Sequence, residues 1–402
     1  MTEAECDKSL TDPPDQGYEK KKYSTIGSIS SSPSCTIKLA LQKNKNRLCA
    51  IKKFIRMDEI KEPLYFKREY NFLLQSRHPA ILKLYDCGFP VSKRTLKPFF
   101  EFEFVLGGTL DNFIQIQQTI GESCIPSPLC EIILYGISSG LAYIHQKKYV
   151  HRDIKPSNIF LNENYEPIIG DFGFARTIDE IITSSFPHTI NYASPEVINK
   201  EQSNEKSDVY SFGMTLYEMR TLKRPYDKQP YALILTRIAQ NKKPTLPETD
   251  PFYELFVECT QTNPAQRPSM NDVCNYIKNV ASKISSDDFS IFEEYRKRID
   301  NKKEISNDDP SQTLDKLKKL AMDGNPDSLY YLGWMNFKGV LVEKDILRSL
   351  ELLQLAASSG HQNSKNALLK IFQSSMKEIK SDKKLQQLAD EIIAQFDFKY
   401  LS

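Results

Sequence analysis

Two short stretches decide how this chain folds: His151-Arg152-Asp153-Ile154-Lys155-Pro156-Ser157-Asn158 and, after a short connector, Asp171-Phe172-Gly173. Between them, Asn158-Ile-Phe-Leu and Pro167-Ile-Ile are typical of strands, and Asn162-Glu-Asn-Tyr165 is typical of a turn. Folding this hairpin brings Asn158 and Asp171 together, and their side-chain oxygens are ligands of the kind that Mg²⁺ prefers. Asp153 and Lys155 lie about one turn away, where they can orient a hydroxyl group and screen a phosphate.

These residues resemble the catalytic core of a eukaryotic protein kinase, which pairs a catalytic-loop Asp and Asn with an Asp-Phe-Gly metal site. The resemblance implies that Asp153 accepts or orients the proton of a substrate hydroxyl and that Lys155 stabilises the transferred phosphoryl group. It also implies that Asn158 and Asp171 hold Mg²⁺. The motif Lys155-Pro156-Ser157-Asn158 has the form found in serine/threonine kinases, since tyrosine kinases usually carry alanine and arginine here.

The nucleotide side of the site resembles that of kinases in the same way. Ala50-Ile51-Lys52 resembles the strand whose lysine holds the α- and β-phosphates, and Glu69, in a helical segment, is the expected ion-pair partner of Lys52. Glu62 is a weaker candidate because it lies beside Pro63. The stretch Pro98 to Leu110 resembles the hinge that binds adenine. The residues expected to bind ATP are Ile26, Gly27, Ala50, Lys52, Phe102, Glu103, Val105 and Asp171.

The nucleotide loop, residues 26–37, departs from the kinase pattern. Kinases carry Gly-x-Gly-x-x-Gly here so that bare backbone can close over the phosphates. In this chain only Gly27 is secure, serine and cysteine occupy the other glycine positions, and Pro33 lacks an N–H group. We expect weaker or slower nucleotide binding, not its loss.

Three further motifs follow in the kinase order. Thr189 to Glu196 resembles the segment that receives the substrate, with Thr189 expected to contact Asp153 and Lys155. Glu196 is expected to pair with Arg267, and Asp208 to brace the backbone of the catalytic loop. Arg152 is expected to bind a phosphate on one of Thr183, Ser184 or Ser185, although these can equally be ordinary polar loop residues.

Composition narrows the class of protein. With 402 residues, two domains and linkers are the natural expectation. The charges nearly balance, 54 basic against 52 acidic residues, so nothing points to a nucleic-acid or membrane surface. The eight cysteines are scattered without a Cys-x-x-Cys pair, which favours free thiols in a reducing compartment. With no apolar run long enough to span a membrane, we expect a cytoplasmic protein, the nucleus remaining an open alternative.

The chain divides into four parts. Residues 1–22 are predicted to be a disordered tail, 23–282 a kinase domain, 283–312 a charged linker with a helix around Phe292 to Arg298, and 313–402 a helical module with a C-terminal helix. The expected fold class is α+β: a two-lobed protein-kinase fold, with a β-rich N-lobe and a helical C-lobe, followed by a short α-helical solenoid.

The last part contains a weak internal repeat, in which Gly324 and Gly360 are 36 residues apart. It resembles Sel-1-like repeats, which are related to tetratricopeptide repeats, and an ordinary pair of helical hairpins is the alternative. Because about three such units are normally needed for a stable solenoid, this module is expected to lean on the kinase lobe, on its own C-terminal helix or on another chain.

The sequence therefore predicts an ATP- and Mg²⁺-dependent serine/threonine protein kinase. Details such as Asp208-Val-Tyr-Ser-Phe-Gly and Gly107-Gly-Thr-Leu resemble the tyrosine-kinase-like branch. The expected partners are protein substrates and a protein bound by the repeats. A pseudokinase adaptor and a kinase that phosphorylates tyrosine are the alternatives.

Overall fold

The computed structural model describes residues 22–32, 35–54, 62–88, 98–177, 189–199, 201, 204–301, 310–361, 363–396 and 398. Within these ranges the chain forms two compact units. The sheet unit contains the described parts of 13–59, 83–108 and 306–402, and the helical unit contains the described parts of 60–82 and 109–305. Residues 1–21 of the predicted tail, Pro33, Ser34 and the candidate phosphate acceptors Thr183 to Ser185 lie outside the described residues, whereas Lys22 is described and pairs with Asp86 at 2.7 Å.

Nine strands are described. They are β1 (Tyr23–Ser31), β2 (Cys35–Gln42), β3 (Arg47–Phe54), β4 (Leu84–Gly88), β5 (Phe99–Glu103), β6 (Tyr149–Val150), β7 (Ile159–Leu161), β8 (Pro167–Ile169) and β9 (Arg176–Thr177).

Fourteen α-helices are described. They are α1 (Glu62–Gln75), α2 (Leu110–Thr119), α3 (Leu129–Gln146), α4 (Pro195–Ile198), α5 (Glu205–Thr221), α6 (Tyr231–Ala239), α7 (Tyr253–Cys259), α8 (Met270–Ala281), α9 (Ser286–Asp300), α10 (Pro310–Met322), α11 (Pro326–Lys338), α12 (Ile346–Ser358), α13 (Ser364–Ser381) and α14 (Lys383–Phe396).

The core of the sheet unit is an antiparallel sheet with the strand order β1-β2-β3-β5-β4. On one face Tyr23, Ala40, Cys49, Ile51 and Phe99 form a buried apolar cluster. Cys49 and Ile51 are two residues apart on β3, the spacing that places side chains on the same face of a strand. The register places Lys52 of β3 opposite Phe100 of β5, and Ala50 opposite Phe102.

Helices α10 to α14, called the C-terminal helices below, belong to the same unit as the sheet. Two of their turns are equivalent: Gly324 and Gly360 both adopt positive φ angles, +83° and +87°. In each turn the residue after the glycine donates its N–H to the carbonyl five residues before it, from Asn325 to Leu320 and from His361 to Ala356. A left-handed residue of this kind ends a helix and favours glycine. The turns thus repeat with the period seen in the sequence.

The helical unit is organised around α3, which is buried along most of its length. The hairpin β7-β8 packs beside it, with Ile159 opposite Ile169, as the sequence predicts for this segment. Short strands β6 and β9 pair at Tyr149–Thr177.

The charged segment after residue 283, predicted to be a linker with a helix around Phe292 to Arg298, contains a longer helix. Helix α9 covers Ser286–Asp300, and its buried residues Phe292, Tyr295 and Ile299 lie on one face. Phe292 packs edge-on against Tyr135 of α3 at 5.5 Å between ring centroids, and Tyr135 Oη donates to Asp300 Oδ1 at 2.6 Å. The three buried residues form an apolar stripe with helical spacing within this highly charged segment, and the stripe packs the helix against α3.

The described cysteines, Cys35, Cys49, Cys87, Cys124, Cys130, Cys259 and Cys274, are all free thiols, as their spacing predicts. Across the described residues, no helix combines the length and apolar character needed to cross a membrane. The strand-rich first part and the helical second part confirm the predicted α+β class.

Candidate active site

The hairpin brings Asp153, Lys155 and Asn158 into one hydrogen-bonded cluster. A single 3₁₀ turn at Pro156–Asn158 leads into β7 and turns the Asn158 side chain back toward Asp153. Lys155 Nζ lies 2.7 Å from Asp153 Oδ2, and Asn158 Nδ2 donates to the same oxygen at 2.8 Å and to the Asp153 carbonyl at 2.7 Å. The amide of Asn158 is thereby oriented with its nitrogen toward Asp153, which leaves its oxygen facing elsewhere.

Asp208 of α5 fixes the backbone of this loop, as the sequence predicts. Its two carboxylate oxygens accept hydrogen bonds from the backbone N–H groups of His151, at 2.8 Å, and Arg152, at 2.7 Å. Arg152 has a φ angle of +71°, which is strained for a residue with a side chain. Burial alone would raise the pKa of Asp208, but the hydrogen bonds from His145 and the Arg152 backbone outweigh burial and lower it. Asp208 therefore remains an anion and holds the strained turn.

Two bonds hold Gly170, the residue before Asp171, against the segment 151–158. The Gly170 N–H donates to the Asn158 carbonyl at 2.9 Å, and the His151 ring nitrogen Nε2 lies 3.0 Å from the Gly170 carbonyl. Asp171 itself is left-handed, with φ +56°. A Cβ atom placed on Gly173 would lie 3.5 Å from Asp171 Oδ1 and 3.9 Å from Glu69 Oε2, so both carboxylates flank this glycine.

Phe172 anchors this segment between two elements. Its ring lies 4.7 Å from that of Phe72 on α1 and 4.9 Å from that of His151, and it is almost fully buried. The orientation of α1, which carries Glu69, is thus linked to the position of Asp171 by aromatic packing.

The downstream motifs also reach the positions that the sequence predicts. Lys155 Nζ lies 3.1 Å from Thr189 Oγ1, so Thr189 joins the cluster through Lys155. Arg267 forms a bidentate pair with Glu196, with Nη–Oε distances of 2.6 and 2.8 Å, and both residues are buried. The pair links Glu196, at the end of the segment that contains Thr189, to the residues just before α8.

The nucleotide-side candidates lie in the sheet unit. Ile26 and Gly27 are on β1, Ala50 and Lys52 on β3, Phe102 and Glu103 at the end of β5, and Val105 just beyond it. The Glu103 side chain accepts from the backbone N–H of Lys83 at 2.8 Å, which fixes the end of β5 against β4. Glu69, the expected partner of Lys52, lies on α1 of the helical unit, and the ion pair between them stays a prediction.

Sequence reasoning missed some residues that support the cluster. His145 Nε2 lies 2.9 Å from Asp208 Oδ2, and it is one of five histidines in the chain, six residues before His151. Phe72 was not singled out although it lies three residues after Glu69 on the same helix. Its spacing on α1 was the available signal, because residues three apart share a helix face.

A model described as the protein kinase domain matches residues 23–277 of the chain. A serine/threonine-protein kinase/receptor of Acanthamoeba polyphaga mimivirus is 34% identical over 237 residues, which are 58% of this chain and 14% of that protein. A probable serine/threonine-protein kinase of Dictyostelium discoideum is 31% identical over 255 residues, 61% of this chain and 18% of that protein.

A third relative matches over more of its own length. The probable kinase nek2 of Dictyostelium discoideum is 28% identical over 291 residues, which cover 69% of this chain and 68% of nek2. The chain therefore spans less than a fifth of the first two relatives and about two thirds of this one. The match to the family model covers more than half of the 402 residues and includes the hairpin, the Asp208 brace and the Glu196–Arg267 pair. The chain belongs to the protein kinase domain family.

Proposed function

We propose that this chain is an ATP- and Mg²⁺-dependent protein kinase that phosphorylates serine and threonine. The observation that carries the proposal is the cluster of Asp153, Lys155, Asn158 and Thr189, held together by hydrogen bonds of 2.7 to 3.1 Å. Phosphoryl transfer depends mainly on positioning and electrostatic stabilisation, and a rigid cluster of this composition supplies both.

Asp153 and Lys155 have distinct roles in this proposal. Both protein hydrogen bonds to the Asp153 carboxylate use Oδ2, so Oδ1 is the oxygen that meets the substrate hydroxyl and orients or accepts its proton. The ammonium group of Lys155 lies between Asp153 and Thr189, where it stabilises the negative charge on the transferred phosphoryl group.

Asn158 and Asp171 fit a magnesium ion. The two hydrogen bonds of Asn158 Nδ2 orient its amide oxygen away from Asp153, and Asp171 supplies a carboxylate directly after Gly170, whose N–H binds the Asn158 carbonyl. Within the described residues, no group of three or more His, Cys, Asp or Glu side chains forms a metal site by itself. One amide oxygen and one carboxylate suit Mg²⁺, which is bound by one or two protein carboxylates together with phosphate oxygens and water. When bound, Mg²⁺ neutralises charge on the phosphates.

The sheet unit is proposed to hold the nucleotide. Lys52 binds the α- and β-phosphates and is oriented by Glu69, and backbone groups of Glu103 and Val105 bind adenine. Ile26, Gly27, Ala50 and Phe102 line the remaining surface of the nucleotide. Support comes from the register, which places Ala50 of β3 opposite Phe102 of β5.

Serine and threonine are the proposed acceptors because of Lys155 and Thr189. Their contact at 3.1 Å is the arrangement expected of serine/threonine kinases, and the three relatives are named as kinases of the same specificity. The finer assignment to the tyrosine-kinase-like branch rests on Asp208-Val-Tyr-Ser-Phe-Gly and Gly107-Gly-Thr-Leu.

The C-terminal helices are proposed to be Sel-1-like repeats that bind a partner protein. The equivalent turns at Gly324 and Gly360 support a repeated unit. A cytoplasmic location, with the nucleus open, is proposed from the free thiols, and imaging of a fluorescent fusion would test it.

A direct assay tests the enzyme. Purified full-length chain with labelled ATP, Mg²⁺ and a generic protein substrate is expected to incorporate phosphate, and Asp153→Asn to abolish incorporation. Asp287→Asn, at an exposed position on α9, is the matched control and should retain activity. Equal incorporation by the wild type and Asp153→Asn would refute the proposal, and phosphoamino-acid analysis of the product would separate serine and threonine from tyrosine.

The second candidate is a pseudokinase adaptor. The observation that favours it is the serine-rich β1, in which Ser28, Ser30 and Ser31 follow Gly27. Nucleotide binding without phosphate transfer in the same assay would support this candidate.

A further inference from the structure

One helix of the C-terminal group, α11, packs directly on β1 at the nucleotide loop. Tyr330 Oη donates to the Ser28 carbonyl at 2.6 Å, and Asn363 Nδ2 donates to the Ile29 carbonyl at 3.0 Å. Trp334 covers Gly27 so closely that a Cβ atom there would lie 2.8 Å from two ring carbons. Gly27, Ser28 and Ile29 of the nucleotide loop are therefore each contacted by a side chain of the C-terminal helices.

The bonded carbonyls lie at an irregular point of the sheet. The β1–β2 ladder passes from the pair Ser28–Lys38 to the pair Ser30–Ile37 and skips Ile29. A bulge of this kind leaves a residue without a ladder partner. Asn363 donates a hydrogen bond to the carbonyl of this residue. The contact therefore falls on the residue that the β1–β2 ladder passes over.

Asn363 makes this bond in place of a local one. It is the N-cap residue of α13, and asparagine at an N-cap normally accepts a hydrogen bond from the first turn of its own helix. Here its side chain forms no capping bond, and its amide nitrogen is directed to Ile29. The Asn363 side chain therefore binds the nucleotide loop and does not bind the first turn of α13.

The same helices contact the hinge. Asn325 Nδ2 donates to the Gly107 carbonyl at 3.3 Å, and the ring of Tyr331 packs edge-on against Phe104 at 4.8 Å. Gly108, with φ +80°, lies so close to α11 that a Cβ atom would be 2.2 Å from Asp327 Oδ2. The glycine pair that ends the hinge is thus fitted to the start of α11.

These contacts are buried. Tyr330 is 2% exposed and Trp334 8%. The His361 ring packs on Tyr330 at 4.2 Å between centroids with the ring planes tilted by 33°, and His361 Nε2 lies 3.5 Å from Asp327 Oδ1. This packing restricts where the tyrosine hydroxyl can lie.

We propose that Tyr330 and Asn363 are positioning residues for nucleotide binding, which hold the serine-rich nucleotide loop in place of the usual glycine-rich sequence. The inference rests on the proposed ATP-dependent function. Both side chains bind carbonyl groups of β1, whereas phosphates are cradled by N–H groups, so the helices order the loop without occupying its phosphate-binding donors. Ordering the loop before the ligand arrives reduces the entropy lost on binding.

Two substitutions in the full-length chain test this. Tyr330→Phe removes only the hydroxyl, and Asn363→Asp replaces the amide donor to Ile29 with a carboxylate oxygen, which cannot donate to a carbonyl. Each is expected to weaken ATP binding about 2- to 10-fold, the effect of one lost hydrogen bond. Kd is measured by titration with a fluorescent ATP analogue, and KM for ATP and kcat by the transfer assay. KM should rise while kcat changes little.

Tyr135→Phe is the matched control, because it removes another tyrosine hydrogen bond of 2.6 Å, to Asp300 in the helical unit. It should lower Tm without changing the Kd for ATP. The inference is overturned if both test variants bind ATP as the wild type does, if Tyr135→Phe weakens binding equally, or if the variants bind more tightly, which would indicate an inhibitory contact.

The same measurements distinguish a failure of the proposed kinase activity from a failure of the inference about Tyr330 and Asn363. A wild-type chain that binds ATP without transferring phosphate refutes the kinase activity, while the Kd values of Tyr330→Phe and Asn363→Asp still decide the inference. A wild-type chain that binds no nucleotide overturns both.

Discussion

Replacing Arg267 with alanine should destabilise the helical unit more than almost any other single change to a charged residue there. All five N–H groups of this guanidinium are used: two contact Glu196, and the others reach the carbonyls of Lys206, Gln261 and Thr262 at 2.8 to 3.3 Å. Arg267 is 2% exposed and Glu196 4%. Removal of the arginine leaves a buried carboxylate whose remaining side-chain donor is Ser207, at 2.9 Å.

The magnitude follows from the desolvated charge. Breaking a buried ion pair by removing one partner costs about 3–5 kcal/mol. For a domain of this size that corresponds to a Tm lower by roughly 10 °C. Arg267→Lys should recover less than half of this loss, because an ammonium group has three donors and cannot form the bidentate pair.

The free energy of unfolding lost in Arg267→Ala should depend on pH. Burial alone would raise the pKa of Glu196, and the hydrogen bonds and charge of Arg267 outweigh it and hold the pKa below its ordinary value of 4.5. In the wild type, the stability from this carboxylate is present above pH 4.5 and is lost as the pH falls through the folded-state pKa. Without Arg267 the burial remains and the pKa lies above the ordinary value, so the variant loses stability as the pH rises. The difference in free energy of unfolding between the wild type and Arg267→Ala should therefore decrease as the pH falls from about 7 to about 4.

Thermal unfolding of both proteins across this pH range is the assay. The double variant Glu196→Gln/Arg267→Met removes both charges and should recover at least half of the lost stability, since an uncharged buried pair avoids the desolvation cost. A loss below about 1 kcal/mol for Arg267→Ala, or a difference that widens toward low pH, would show that the buried pair does not act as argued.

Three further predictions concern other buried groups. Asp208→Asn should lower kcat about 100-fold with a smaller effect on ATP binding, measured by steady-state kinetics, because the strained turn at Arg152 loses its anchor. Burial, with nearby Asp111, raises the pKa of Glu218 to about 7, so stability should fall as the pH rises from 4.5 to about 7, and unfolding of Glu218→Gln should lack this slope. Gly108→Ala should cost about 1–3 kcal/mol in thermal unfolding, and Asp327→Ala should relieve the steric part of that cost.

The sequence predicted the hairpin and its cluster well because the determining contacts are local. Asp153, Lys155 and Asn158 lie within six residues, and a short antiparallel hairpin fixes where Asp171 follows. The Glu196–Arg267 pair and the Asp208 brace are long-range contacts, and they were predicted only through the kinase resemblance. Nothing in periodicity or spacing identifies a partner 71 residues away.

The charged segment after residue 283 shows where composition misleads. Its charge favoured a linker, yet the apolar stripe of Phe292, Tyr295 and Ile299 was sufficient to dock α9 on α3. The stripe has helical spacing and was visible in the sequence, whereas the surface that receives it is built by α3 and exists only after folding.

The sequence by itself determined the kinase family, the local cluster of Asp153, Lys155 and Asn158, and the two glycine turns of the C-terminal helices, because each motif depends on chemistry and backbone geometry within a few neighbouring residues. Only the tertiary structure decided that the C-terminal helices pack on β1 and the hinge. The contacts of Tyr330 with Ser28 and of Asn363 with Ile29 join residues 302 and 334 positions apart. Such contacts arise from the fit of two folded surfaces, and local sequence patterns do not encode which surfaces meet.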